Sequence, residues 1–372
     1  LGGATISFAA PSGGTVTSGT ANISQSGTVT NITQSTSKAS INWQSFSIAQ
    51  NETVNFIQPS STSITLNRVI GNERSVIDGA MNANGQVWLL NSNGVLFGKN
   101  ASINTAGLLA TTAKLSDTDF QNGNYNFTDA TSNSVINEGA ITISDSGSVI
   151  LASNEVRNSG TIKAIKGKVH LTGVNDYTIN LNGNSLVNLK VDKGVLDALV
   201  ENSGTIIADG GEIYLTTNAV DELLKGVVNN IGIIEANSLD GLTGYVELFA
   251  HGGEAQIGGS INALKGFVET SGREFSILED ATIKAGEWLI DPVNVTIDTT
   301  LASTIQTALG VGDVTITTDG DNTPSTTIGE SGTDGDINVE ADISWSTNTL
   351  TLNAHRNINV NANLANLAGE NS

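Results

Sequence analysis

One seven-residue phrase recurs along the chain and limits what it can fold into. It reads Val135-Ile-Asn-Glu-Gly-Ala-Ile141, Val156-Arg-Asn-Ser-Gly-Thr-Ile162, Val200-Glu-Asn-Ser-Gly-Thr-Ile206 and Val228-Asn-Asn-Ile-Gly-Ile-Ile234. Its central asparagines, Asn137, Asn158, Asn202 and Asn230, lie 21, 44 and 28 residues apart. Those gaps are one repeat, two repeats, and one repeat carrying an insertion. A second strand follows, as in Thr205-Ile-Ile-Ala-Asp-Gly-Gly-Glu-Ile-Tyr-Leu215. A period of about 20 residues with short strands and no helix is the coil of a parallel β-helix, whose coils stack at ~4.8 Å. Asn and the glycines Gly139, Gly160, Gly204 and Gly232 suit a tight corner, because they tolerate positive φ. Asparagines at equivalent corners can also bond from coil to coil. A β-sandwich or closed barrel would instead show antiparallel hairpins with two-residue turns and unrelated loops.

The remaining strands are short and alternating, as in Gln86-Val-Trp-Leu-Leu90, Lys168-Val-His-Leu-Thr172, Glu212-Ile-Tyr-Leu-Thr216 and Tyr245-Val-Glu-Leu-Phe249. Two windows, 219–225 and 301–309, allow a turn or two of helix. An open solenoid end needs a lid against edge-to-edge pairing. Residues 1–40 are read as that cap, with Trp43 and Phe46 beside it.

Composition excludes several classes. The abundance of β-branched residues excludes disorder. The 41 glycines against 4 prolines fit many turns built without proline. A formal net charge of -21 excludes nucleic acid as a partner, since phosphate binding needs a basic footprint. An anionic membrane surface is excluded for the same reason. Solubility accounts for the charge. Asp319-Gly-Asp321 and Asp334-Gly-Asp336 carry oxygen ligands for a divalent cation, but neither lies in a calcium-loop pattern, so no metal is assigned. A cytosolic chain of this size can lack cysteine by chance; in a secreted one its absence fits unfolded passage through an oxidising periplasm. No segment has the ~20 apolar residues of a membrane span. The start lacks a signal peptide and the end lacks a cap, so the sequence reads as a mature, truncated form.

Residues 11–112 carry a resemblance. Pro11-Ser-Gly-Gly-Thr-Val16 leads to Ile41-Asn-Trp-Gln-Ser-Phe-Ser-Ile48, Glu52-Thr-Val-Asn-Phe-Ile-Gln-Pro59 and Leu66-Asn-Arg-Val-Ile-Gly71. Asn84-Gly-Gln-Val-Trp-Leu-Leu-Asn-Ser-Asn-Gly-Val-Leu-Phe-Gly98 follows. This order resembles the secretion (haemagglutination activity) domain of filamentous-haemagglutinin-like two-partner-secretion exoproteins. The family motif Asn-Pro-Asn-Gly-[Ile/Val] matches Asn91-Ser-Asn-Gly-Val95, with Ser92 replacing proline. The family's Asn-Pro-Asn-Leu motif is not found. Gly266-Phe-Val-Glu-Thr-Ser-Gly272 and Glu287-Trp-Leu-Ile-Asp-Pro-Val-Asn-Val295 are similar to phrases of the high-molecular-weight adhesins.

The resemblance implies an all-β, right-handed, single-stranded parallel β-helix with an N-terminal β cap and small extra-helical strands or hairpins. It implies a secretion domain over 1–298 and the start of an adhesin shaft over 299–372. The product would be a monomer, secreted to the surface of a Gram-negative bacterium. Its partner would be an outer-membrane TpsB-type barrel with periplasmic POTRA domains, and a downstream region would meet a surface receptor. Asn91, Asn93, Gly94, Asn42, Trp43, Asn67 and Arg68 become the candidate transporter-recognition or folding residues. The alternative cargoes are a contact-dependent toxin, a haemolysin or a haem-scavenging protein.

Catalytic signals are weak. His170, His251 and His355 are isolated, with no metal-ligand spacing and no Gly-x-Ser-x-Gly. A β-helical polysaccharide lyase or glycosidase needs converging carboxylates, or carboxylate with Lys or Arg. Glu287 and Asp291 occur together without such a constellation. The chain is therefore read as a non-enzyme without cofactor. Arg68 is read either as a contact for the secretion partner or as an ion pair to a neighbouring coil, the second being favoured. Trp43, Trp88, Trp288 and Trp345 are read as core or cap residues.

Overall fold

A computed structural model of the chain describes residues 10–218, 226–318 and 334–369. Its contacts divide into two compact units, Leu1–Lys193 and Gly194–Ser372.

In the first unit each turn of chain lays strands in parallel on those of the turn before. One face stacks Lys38–Trp43, Ile64–Val69, Gln86–Leu90, Gly107–Thr111, Ser148–Ser153 and Lys168–Gly173. A second stacks Val29–Gln34, Thr53–Ile57, Ala80–Ala83, Ser102–Thr105, Ala140–Ile143 and Thr161–Lys163. The third carries Ser75–Ile77, Val95–Phe97, Val135–Asn137 and Glu155–Asn158. The unit is a parallel β-helix. Register places like on like: Val87, Leu108, Val149 and Val169 share one inward column, and all are buried. Each such side chain contributes about 1.5–3 kcal/mol on leaving water.

The corners need glycine for a different reason from the one read in the sequence. Gly139, Gly160 and Gly232 do not have positive φ. A Cβ on Gly160 would instead stand 2.2 Å from the Gly139 carbonyl oxygen, and one on Gly232 the same 2.2 Å from that of Gly204. Close approach of stacked backbones sets the requirement.

The N-terminal end is closed by antiparallel pairing. Thr15–Ser18 runs against Lys38–Trp43, and the hairpin Ala21–Ser26/Val29–Gln34 turns at Gly27, φ +59°. Trp43 lies beneath this cap, edge-on to Phe46 at 5.6 Å.

A second layer covers the first face from outside. Asn126–Phe127, Asp176–Asn182 and Ser185–Lys193 form a small antiparallel sheet. Its Phe127, Tyr177, Ile179 and Leu186 pack with Phe120 and Tyr125 on Trp88, Leu90, Leu109 and Ile150. All five residues of Gln86–Leu90 are therefore buried, whereas an alternating strand would bury one side only.

The second unit is also built from parallel coils. Glu212–Asn218, Tyr245–Ile257, Ser260–Ile277, Thr282–Asp291, Asp313–Thr317 and Leu350–Asn353 stack in order. Beyond residue 298, Asp313–Thr317 and Leu350–Asn353 thus continue the same stacking within this unit. The helix Thr299–Leu309 replaces a strand, begins at N-cap Asp298, and buries Leu301, Ile305 and Leu309. It starts two residues before the window read in the sequence; the window 219–225 lies outside the described residues. Trp288 is buried and donates to Thr270 Oγ1 at 2.9 Å, whereas Trp345 is half-buried.

Candidate functional site

The turn at Asn91–Gly94 links strand Gln86–Leu90 to Val95–Phe97. Asn91 is fully buried, and its amide nitrogen donates to the Glu73 carbonyl and Ser75 Oγ, each at 3.0 Å. Its Oδ1 accepts from the Asn93 backbone N–H at 2.9 Å, an Asx turn. Asn93 Nδ2 donates to the Gly71 carbonyl at 2.9 Å. Gly94 has φ +103°, where a side chain is strained. On the other side, the Ser92 carbonyl accepts from Thr131 Oγ1 at 2.8 Å and Asn133 Nδ2 at 2.9 Å. The turn fastens the loop at 71–75 to the loop at 131–133, and it spends its polar groups inside the fold.

A second group surrounds Asn67, which is fully buried on Ile64–Val69. Trp43 Nε1 donates to Asn67 Oδ1 at 3.0 Å, and Asn67 Nδ2 donates to the Thr65 and Trp88 carbonyls at 3.2 Å. Beside it, on the opposite side of the strand, Arg68 donates to Asn42 Oδ1 at 2.8 Å, the Leu115 carbonyl at 2.6 Å and Asp117 Oδ1 at 2.9 Å. Burial raises the Asp117 pKa, but hydrogen bonds from Thr17 and Arg68, with the Arg68 charge, hold it below the ordinary carboxylate value. Arg68 therefore ties the chain entering the extra-helical layer to the coils. Arg68→Ala is expected to cost about 2 kcal/mol, as charge-assisted bonds are lost at a partly buried site. Urea unfolding checks this, and Arg68→Lys should recover only part, because a single ammonium nitrogen cannot span acceptors that the guanidinium reaches from two separate nitrogens.

The repeat asparagines are buried at their corners. Asn137 Nδ2 donates to Asn158 Oδ1 at 2.8 Å, and Asn202 Nδ2 to Asn230 Oδ1 at 2.9 Å. A further ladder on the outside escaped sequence reading. Asn55 donates to Asn31 at 3.0 Å, and Asn82 to Asn55 at 3.1 Å. These asparagines are 24 and 27 residues apart, but no seven-residue phrase recurs around all three to mark them as a repeat.

The histidines do not gather. Burial, with the Lys168 charge, pushes His170 down to about 3. Among the described residues no three His, Asp or Glu side chains group as metal ligands. Asp334 accepts from Asn294 at 3.1 Å, and Asp336 accepts from Arg356 Nε at 2.7 Å. Asp319 and Asp321 lie outside the described residues.

The family model of the TPS secretion domain matches residues 7–263. The chain belongs to the TPS secretion domain family. Among solved structures, the HMW1 secretion domain of Haemophilus influenzae superposes with TM-score 0.71 at 26% identity, covering 96% of this chain and 99% of that one. Two curated relatives are named heme/hemopexin-binding protein, both from Haemophilus influenzae. One, from strain Rd, is 37% identical over 64% of this chain, the other 34% over 70%. This TPS chain spans only 27% and 30% of their lengths. TPS exoproteins are secreted or surface-exposed products of Gram-negative bacteria, and this TPS domain addresses such a product for export.

Proposed function

We propose that this TPS domain is read in the periplasm by the POTRA domains of an outer-membrane TpsB-type barrel, and that it starts folding of the exoprotein outside the cell. The match to the TPS family across residues 7–263 carries this reading. The chain crosses the barrel unfolded, with Asn91, Asn93, Asn67 and Arg68 accessible to the transporter, and those same side chains then become internal bonds. Folding coil upon coil gives export a free-energy gradient without ATP. Residues 1–298 act as the secretion unit and 299–372 as the base of the extension. The domain performs no catalysis; the downstream region carries the adhesive function and meets the surface receptor.

Haem or hemopexin binding by the whole exoprotein is the second reading, favoured by the names of both curated relatives. Co-expression with the cognate barrel tests export: the domain, given a cleavable signal peptide, should reach the medium only when the barrel is present. Equal release without it would refute the export role. Full-length exoprotein that retains hemopexin on a column but does not bind host cells would replace adhesion by the second reading.

A further inference from the structure

On the outer side of the second unit, consecutive coils place two glutamates over one another. Glu247, in Tyr245–Ile257, is the register partner of Glu269, in Ser260–Ile277. Paired strands lie about 4.8 Å apart, which holds such side chains next to each other. Like charges directly opposite destabilise a strand pair.

The surroundings do not neutralise the pair. On the preceding strand Tyr214 registers with Glu247 and Glu212 with Tyr245; on the following one Leu289 registers with Glu269 and Glu287 with Phe267. The Tyr214, Tyr245 and Phe267 rings follow one another at 5.5 and 5.4 Å. Tyr245 OH donates to Glu247 Oε1 at 3.2 Å, and Ser271 Oγ to Glu269 Oε1 at 3.0 Å. The basic groups on these strands are His251, Lys265 and Arg273, with Lys284 on the following one. Burial pushes His251 down to about 4, so it is uncharged near neutrality. Among the described residues neither glutamate forms an ion pair with lysine or arginine.

We propose that Glu247 and Glu269 form a proton-sharing latch between these two coils, closed when one carboxyl donates its proton to the other and weakened when both are ionised. Burial, then the Glu269 charge, pushes Glu247 up to about 7, and burial raises Glu269 as well. A glutamate of the unfolded chain titrates near ~4.3. Between that value and the folded one, the folded state binds the extra proton, so stability is highest in acid and is lost as pH rises through the folded pKa. The latch stands independently of the export role. It makes this coil firmer in mildly acidic surroundings than in alkaline ones.

Amide hydrogen exchange in the full chain at pH 5.5 and 8.0, corrected for intrinsic rates, tests it. In Tyr245–Ile257 and Ser260–Ile277 the wild type should open on the order of thirtyfold less at the lower pH. Glu247→Gln, or Glu269→Gln if the first variant folds poorly, should flatten that dependence and protect both strands at pH 8.0. Carboxyl carbon NMR of the wild type should show one of the two groups titrating near neutrality. Ordinary titration of both, or pH dependence that survives the substitutions, would overturn the latch.

Discussion

Trp88→Ala is expected to destabilise the first unit by about 4 kcal/mol, in the range for deleting a buried aromatic, and to loosen the extra-helical layer before the coils open. Trp88 is 2% exposed, and its ring centre lies 5.5, 4.9 and 5.7 Å from those of Phe120, Tyr125 and Phe127. Phe127 in turn stacks on Tyr177 at 4.8 Å. The indole thus joins the segment after Gly107–Thr111 to the hairpin Asp176–Asn182/Ser185–Lys193. Its inward neighbour Val87 packs in the coil interior instead, so Val87→Ala should weaken the coils themselves and cost less. Urea unfolding reads the magnitudes. Limited proteolysis reads the order: cleavage around Asn126–Phe127 should appear in Trp88→Ala under conditions where the coil strands stay intact. Simultaneous loss of both layers would show that they unfold as one.

The second large effect is expected at Asn91. Asn91→Ala leaves the Glu73 carbonyl, Ser75 Oγ and the Asn93 N–H without their side-chain partner in a buried turn. About 3 kcal/mol is expected, as buried polar groups left unsatisfied cost ~1–3 kcal/mol each and water recovers some. Asn93→Ala loses the bond to Gly71 and should cost nearer ~1 kcal/mol. Two readouts separate folding from recognition. Refolding of the purified domain should weaken in the order Asn91 then Asn93, and export through the cognate barrel should fall in the same order if internal bonding is the motif's role. Export that fails equally in both, with refolding spared in Asn93→Ala, would assign Asn93 to the transporter.

The coils were legible because their cause is local. A corner phrase repeated at coil length brings Asn137 within 2.8 Å of Asn158, and nothing outside those coils is needed to explain it. The extra-helical layer was not legible in the same way. Gln86–Leu90 reads as a one-sided strand, and only a hairpin about ninety residues later along the chain makes its second side a core. Arg68 shows the same limit: its partners at 115 and 117 are fixed by an insertion whose return path the sequence does not reveal. The corner glycines stand out in the sequence, yet the close approach of backbone to backbone across coils appears only once the coils are stacked.

Other glycines stand in similar files through the second unit. A Cβ on Gly266 would meet the Gly244 oxygen at 2.3 Å, and one on Gly312 the Gly286 oxygen at 2.3 Å. No member of such a file can be enlarged while its neighbour stays in place. Gene-level change is thereby channelled: single-residue drift is blocked at these positions, whereas copying or deleting one whole coil leaves every remaining glycine facing another. A lineage of such proteins should therefore diversify by length, in steps of one coil, more readily than by altering the corners it already has.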